Sequence, residues 1–219
     1  MSNPILSIFR FDKISAQVWP VLAALVILGA VLFVLSRQQQ KWSARMIANA
    51  ALSIALAFIL SYVRLYKMPQ GGSITLASML PLFLFAYAYG MAPGFLVGAA
   101  YGLLQFMQDA YFVHPIELLL DYPLAFAMLG LAGLAHRKDG QFRLVQGIVL
   151  GALGRFLCAF IAGIVFFGSY APEGQPVVVY SMVYNGLYLI PDTLICVALV
   201  LVPAMRRLAR ALTLSELRA

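Results

Sequence analysis

Five ionisable groups and an amide stand where an apolar chain tolerates them least. Glu117 and Asp121 are four residues apart, with His114 one turn earlier. On a helix all three share one face. Two carboxylates beside an imidazole could perform acid–base chemistry, and a lone carboxylate could balance a bound cation. Arg155 and Asp192 lie in two other apolar stretches. Counted from the helix ends, they fall at matching depth. That suggests a buried ion pair, serving either as a packing staple or as a gate. Asn185 sits in an apolar stretch as well, and its amide needs partners there.

Aromatic residues are spaced to accompany these groups. Phe156, Phe160, Gly163 and Phe167 follow the i, i+4, i+7, i+11 pattern of one helical face. Such a stripe packs against a neighbouring helix or walls a pocket. Tyr180, Tyr184 and Tyr188 surround Asn185 in sequence. Tyr180 also suits the aromatic belt at a membrane interface.

Other chemistries have no residues to carry them. The chain contains no Walker lysine loop, HExxH, CxxC or GxSxG motif. Cys158 and Cys196 both lie in apolar stretches and read as small buried hydrophobes rather than a disulfide or metal ligands. No metal or cofactor is expected.

The elements that must position these side chains follow from composition. Of 219 residues, 63% are hydrophobic and 11% charged, and the mean hydropathy is +0.91. Soluble domains carry roughly 25% charge. These values exclude a soluble enzyme, a disordered tail and a fibrous protein. They indicate an all-α, polytopic helical bundle in a lipid bilayer. The net charge of +7 comes from short basic clusters between apolar stretches, which suits loops that set topology rather than nucleic-acid binding.

A bilayer core of about 30 Å needs about 20 helical residues. Seven spans are predicted: Ile14–Ser36, Met46–Tyr66, Ile74–Tyr89, Pro93–Asp109, Ile116–Ala135, Leu144–Gly168 and Val177–Met205. The third and fourth share one uncharged run, broken at Gly90–Gly94. Pro191 predicts a kink or tilt in the seventh. Basic residues gather on one side: Arg37, Lys41 and Arg45; Arg137, Lys138 and Arg143; Arg206, Arg207, Arg210 and Arg218. The other side has Arg10, Lys13, Arg64 and Lys67. The richer side should be cytoplasmic, with the C-terminus inside and the N-terminus outside.

On this topology Asp121, the Gly163–Phe167 stretch and Tyr180–Asn185 reach the same outer level. A carboxylate, an amide and several rings suit a flat, cationic, hydrogen-bonding organic molecule. A structural hydrogen bond or ion pair is the other role open to Asp121. Glu117, nearer the helix end, reads as interfacial and solvated. A different class of reading is an intramembrane enzyme using Glu117, Asp121 and His114.

Longer motifs add a family resemblance. Lys67-Met68-Pro69-Gln70-Gly71-Gly72-Ser73-Ile74-Thr75-Leu76 is followed by His114-Pro115-Ile116 and Leu120-Asp121-Tyr122-Pro123-Leu124-Ala125-Phe126. Phe160-Ile161-Ala162-Gly163-Ile164 and Tyr180-Ser181-Met182-Val183-Tyr184-Asn185-Gly186 come later. In order and type these resemble the thiamine-specific substrate-capture subunits of energy-coupling-factor vitamin transporters. The resemblance covers roughly residues 45–205. It implies a six-helix capture domain there, an extra N-terminal helix and basic loop over 1–44, and a basic cytoplasmic tail over 206–219.

It also implies high-affinity capture of thiamine from outside, with a membrane coupling subunit and two ATPase subunits as partners. A thiamine precursor or another small vitamin is the neighbouring alternative. The family's binding residues fall on Asp121, Tyr122, Gly163, Phe167, Tyr180 and Asn185. The family has a tryptophan where Phe167 stands, a glutamate where Asp121 stands and a ligand-contacting histidine where Ala159 stands. Its small-residue coupling face falls on Ala51 and Ala55.

Overall fold

The structure, a computed structural model, describes residues 42–108, 111, 113–136 and 141–217. The predicted first span, Ile14–Ser36, lies outside the described residues. So do Arg10, Lys13, Arg37, Lys41, Arg137, Lys138 and Arg218 of the charge count.

Helix α1, Ala44–Tyr62, starts where the Ser43 side chain accepts from the Met46 amide at 3.2 Å. It turns Ala50 and Ala57 inward and leaves Ile47, Leu52, Leu56 and Ile59 exposed, a face suited to lipid. The predicted second span continued to Tyr66, and the third began at Ile74. The chain instead leaves α1 into an antiparallel hairpin, β1 Arg64–Lys67 and β2 Ser73–Thr75, with Lys67 opposite Ser73. Pro69-Gln70-Gly71-Gly72 dictates that turn. Gly71 and Gly72 have φ of +88° and +78°, which residues with a Cβ adopt at a cost.

Helix α2, Leu80–Tyr89, is therefore shorter than predicted. Ten residues rise only about 15 Å, half a bilayer core. Every residue in it except Pro81 is buried. It packs against α1 and the later helices and supplies much of the core. Gly90, at φ +94°, ends it inside the predicted break. Helix α3, Met91–Gln108, follows directly.

Helix α4, Pro115–Ala135, changes form along its length. It is α-helical over Pro115–Leu119, π-helical over Leu120–Leu124, and 3-10 over Met128–Ala135. Pro123 lies within the π turn and has no N–H to continue an α ladder. Gly94, Gly98 and Gly102 on α3 let the two backbones touch. A Cβ on Gly102 would lie 2.5 Å from the Tyr122 carbonyl oxygen.

Helices α5, Gln141–Phe166, and α6, Val177–Leu201, pack along each other. Helix α6 runs on through Pro191, and extended Val202 ends it. Helix α7, Pro203–Leu217, then packs Ala209 against α2 and the core, while Arg206, Arg207 and Arg210 stay exposed. Among the described residues α1, α4, α5 and α6 are long and apolar enough to cross a membrane. The architecture is an all-α membrane bundle capped by one small hairpin.

Candidate functional site

A cavity of about 210 Å³ lies between the hairpin and helices α3 to α6. Asp121, Tyr122, Gly163, Phe167, Tyr180 and Asn185 all line it. The π turn presents Asp121 and Tyr122 in succession on the cavity side of α4. Asp121 Oδ1 is buried and meets no N–H or hydroxyl donor among the described residues; the neighbouring group is the Glu117 carboxyl one turn earlier. A carboxylate oxygen left so in a membrane bundle is costly unless something else meets it.

The rings enclose this carboxylate. Tyr122 Oη accepts from the Tyr111 amide at 3.1 Å and lies 3.2 Å from the Tyr111 carbonyl. The Tyr111 ring stacks on Phe167, with centroids 6.2 Å apart. Its hydroxyl pairs with Tyr170 at 3.1 Å, and that bond leads in raising its pKa to about 12. Tyr180 and Tyr184 lie tilted, 5.6 Å apart. Gly163 lets α6 approach α5, because a Cβ there would run into Ser181.

Asn185 is engaged more fully than expected. Its Nδ2 donates towards the Ser181 carbonyl at 3.0 Å and the Ala159 carbonyl at 3.2 Å. Its Oδ1 accepts from Tyr188 Oη at 3.0 Å. The amide thus ties α5 to α6 at the cavity wall.

The hairpin is held by one stripe of α6. Tyr184 Oη accepts from the Gln70 amide and donates to the Gly71 carbonyl, both at 2.9 Å. The Tyr188 ring underlies Gly72, where a Cβ would come within 2.8 Å. Asp192 accepts from Thr75. These three positions are four residues apart and share one face.

The expected Arg155–Asp192 ion pair is not formed. Asp192, 1% exposed, spends Oδ1 on Thr75. Arg155 donates to Met79 Sδ at 2.8 Å, and its Cζ lies 4.1 Å from the Phe126 ring centre. Thr75 takes the place of Arg155 because it arrives on a hairpin, where the sequence predicts the start of a helix.

Glu117 and His114 take structural roles. Glu117 is fully buried, not interfacial, and its Oε2 accepts from the Val113 amide at 2.9 Å. His114 is the N-cap of α4, with Nδ1 accepting from the Ile116 amide at 3.1 Å and the ring stacked on Phe166. Burial pushes its pKa below the ordinary value and favours the neutral ring that this bond needs. Neither residue lines the cavity. No cluster of three metal-ligating side chains occurs among the described residues.

The chain matches the thiamine transporter protein family over residues 47–211. It is 38% identical over 172 residues to the thiamine transporter ThiT of Bacillus subtilis strain 168, covering 72% of this chain and 88% of that one. The chain belongs to the thiamine transporter family. A second ThiT, from Lacticaseibacillus paracasei, is 28% identical over 167 residues, 68% of this chain and 81% of its own. The fold resembles that of ThiT from Listeria monocytogenes, with a TM-score of 0.67 at 23% identity, covering 77% and 96% of the two chains. A thiamine transporter family member with these helices is a multi-pass membrane protein, and its relatives are transporters, not enzymes.

Sequence reasoning had not assigned Tyr184, Tyr188, Gln105, Arg155 or the Gln70–Gly72 turn to the cavity wall. The four-residue spacing of Tyr180, Tyr184 and Tyr188 was the available signal. Ala51 and Ala55 are exposed on α1, away from the cavity.

Proposed function

We propose that this protein is the membrane-embedded thiamine-capture subunit of an energy-coupling-factor uptake transporter. The observation that carries this is Asp121, a buried carboxylate whose Oδ1 meets no N–H or hydroxyl donor among the described residues, on the wall of an aromatic cavity in a chain of this family. Thiamine carries a permanent positive charge on one of two flat rings. Asp121 balances that charge, while Phe167, Tyr122 and Tyr180 enclose the rings. Gly163 keeps the wall thin, and Asn185 fixes the α5–α6 wall against the ligand. The protein needs no cofactor and performs no chemistry on the molecule it holds.

Release inward is driven by a membrane coupling subunit and two ATPase subunits. The exposed small residues Ala51 and Ala55 offer that coupling subunit a close approach. The cavity end faces outward, the C-terminus lies in the cytoplasm and the N-terminus outside. The distribution of basic residues supports this orientation.

Calorimetric titration of the purified full chain with thiamine, then with riboflavin and biotin, tests the reading. Saturable one-to-one binding of thiamine alone is expected. Turnover of thiamine, or equal response to the other vitamins, would reject it.

A further inference from the structure

The exposed arginines of α7 are sorted by face. At about 100° per residue, Met205, Ala209, Leu212 and Thr213 fall together on the side turned to the bundle. There Ala209 is buried, and Met205 and Leu212 pack on the core. The outer surface divides in two. Ala204, Leu208 and Ala211 stand exposed on one flank, within about 60° of one another. Arg206, Arg207 and Arg210 stand exposed on the other. None of their guanidinium groups has a hydrogen bond or ion pair among the described residues. Like charges three and four residues apart on a helix repel, so this flank costs energy until an anion meets it. Setting topology would be served by the same charges on any face. It leaves their segregation unexplained.

Position says which anion. Helix α6 has 25 residues and rises about 37 Å, more than the bilayer core of about 30 Å. Its end therefore emerges at a membrane surface. Val202 is extended, and α7 begins at the next residue, Pro203. Contacts with α2 and α6 hold α7 against the bundle. Leu201 and Val202, exposed at this junction, continue the exposed apolar surface that Leu187, Ile190 and Leu194 begin on α6. A free phosphate would satisfy the arginines but leave Leu208, 44% exposed, in water. A phospholipid satisfies both flanks. Its acyl chains cover Leu208, and its headgroup phosphate takes the guanidinium forks.

We propose that α7 is an interfacial helix whose Arg206, Arg207 and Arg210 bind the phosphates of anionic phospholipids, with the Ala204, Leu208 and Ala211 flank seated among acyl chains. These contacts peg the last span to one leaflet. Neither flank lines the cavity, so the pegging is independent of what the cavity holds.

The test uses the full chain in vesicles of phosphatidylcholine alone, or of equal parts phosphatidylcholine and phosphatidylglycerol. A nitroxide is attached at Leu208→Cys, with the buried cysteines removed by Cys158→Ala and Cys196→Ala. In the mixed vesicles it should collide with oxygen, which concentrates among acyl chains, more than with a water-soluble nickel chelate. Native mass spectrometry of protein released from those vesicles should find phosphatidylglycerol retained in preference to phosphatidylcholine. Each basic residue near an anionic surface contributes roughly fivefold. Arg206→Gln, Arg207→Gln and Arg210→Gln together should therefore cut that preference at least about tenfold. The same three positions changed to Lys keep the charge and should keep most of the preference. If the Gln variant does not fold, the Lys variant and the label on the parent carry the test. A label in water in both vesicle types, equal retention of the two lipids by the parent, or a Gln variant with the parent's preference would overturn the proposal. The last result, joined to lost binding of a second membrane subunit, would assign the basic flank to a protein instead.

Discussion

Thr75, the last residue of β2, donates both its amide and its hydroxyl to a single oxygen, Oδ1 of Asp192, at 3.1 and 2.9 Å. Ser78 adds its amide to the Thr75 hydroxyl oxygen at 3.1 Å. A strand end, a helix start and the middle of a span are thus joined through one buried carboxylate.

That joint should dominate the energetics of Asp192. Thr75→Val keeps the shape but removes the hydroxyl donor, and should destabilise the protein by about 1–3 kcal/mol. Asp192→Asn should cost a similar amount, and the two losses should fall well short of additive. Asp192→Asn and Arg155→Met should couple more weakly than the Thr75 pair, because Arg155 acts on Asp192 through space and no direct pair joins them. Thermal unfolding of the three single and two double variants in one detergent would check both cycles. Strong coupling between Arg155 and Asp192 would contradict the geometry described.

Thiamine binding should rank the polar residues of α4 and α6. Asp121→Asn removes a poorly solvated counter-charge and should weaken binding by about 2–5 kcal/mol. Asn185→Ala should weaken it by less, and should also lower the melting temperature because the amide ties α5 to α6. Glu117→Gln should lower stability while changing affinity by less than roughly threefold. Calorimetry and unfolding on the same preparations would give the order, and parent-like affinity in Asp121→Asn would make that residue structural.

Acid should loosen the start of α4. The depressed pKa of His114 means the folded protein holds the ring neutral where the unfolded chain would protonate it. Its contribution is therefore complete above the unfolded value, about 6.5, and declines as pH falls towards the lower folded value. Replacing it with Asn, a good N-cap that does not titrate, should flatten this part of the stability profile between about pH 7 and 5. An unchanged slope would mean the pH response comes from elsewhere.

Gly72→Ala tests the seating of the hairpin. The new methyl would need an unfavourable positive φ and would press on the Tyr188 ring at 2.8 Å. A loss of about 1–2 kcal/mol is expected from the backbone alone. Faster thiamine dissociation in stopped-flow measurements should accompany it. Gly174, also at positive φ but with nothing within 4 Å, provides the control for backbone strain without contact.

Much of this was visible in the chain, for physical reasons. Low charge and long apolar runs identified the bundle, because lipid admits few other solutions. The six residues that the resemblance assigned to the site line one cavity, and depth counted at a fixed rise brought Asp121, the Gly163–Phe167 stretch and Tyr180–Asn185 to one level. Two features were hidden. Residues 64–75 are uncharged over most of their length, so hydropathy joined the hairpin to its flanking helices, although the Gln70-Gly71-Gly72 turn announced it. The partner of Asp192 was misassigned because charge complementarity favoured Arg155, whereas Thr75 offered two donors at closer range. Position near a helix end predicts Glu117 in water, yet the Val113 amide just before the helix gives its carboxylate a partner inside.

The π turn at Leu120–Leu124 makes the site depend on how many residues the chain contains as well as on which ones. A π turn accommodates one residue more than the α-helix around it would. Deleting a single residue there would close the helix into a regular spiral and rotate its two halves against each other by about 100°. Asp121 would swing off the cavity wall while Gly130 and Gly133 kept their seats against α3. Every side chain named here as a ligand contact could survive such a deletion in the sequence, and the protein would still lose its grip. Among relatives, the length of this segment is therefore as informative as the acid within it.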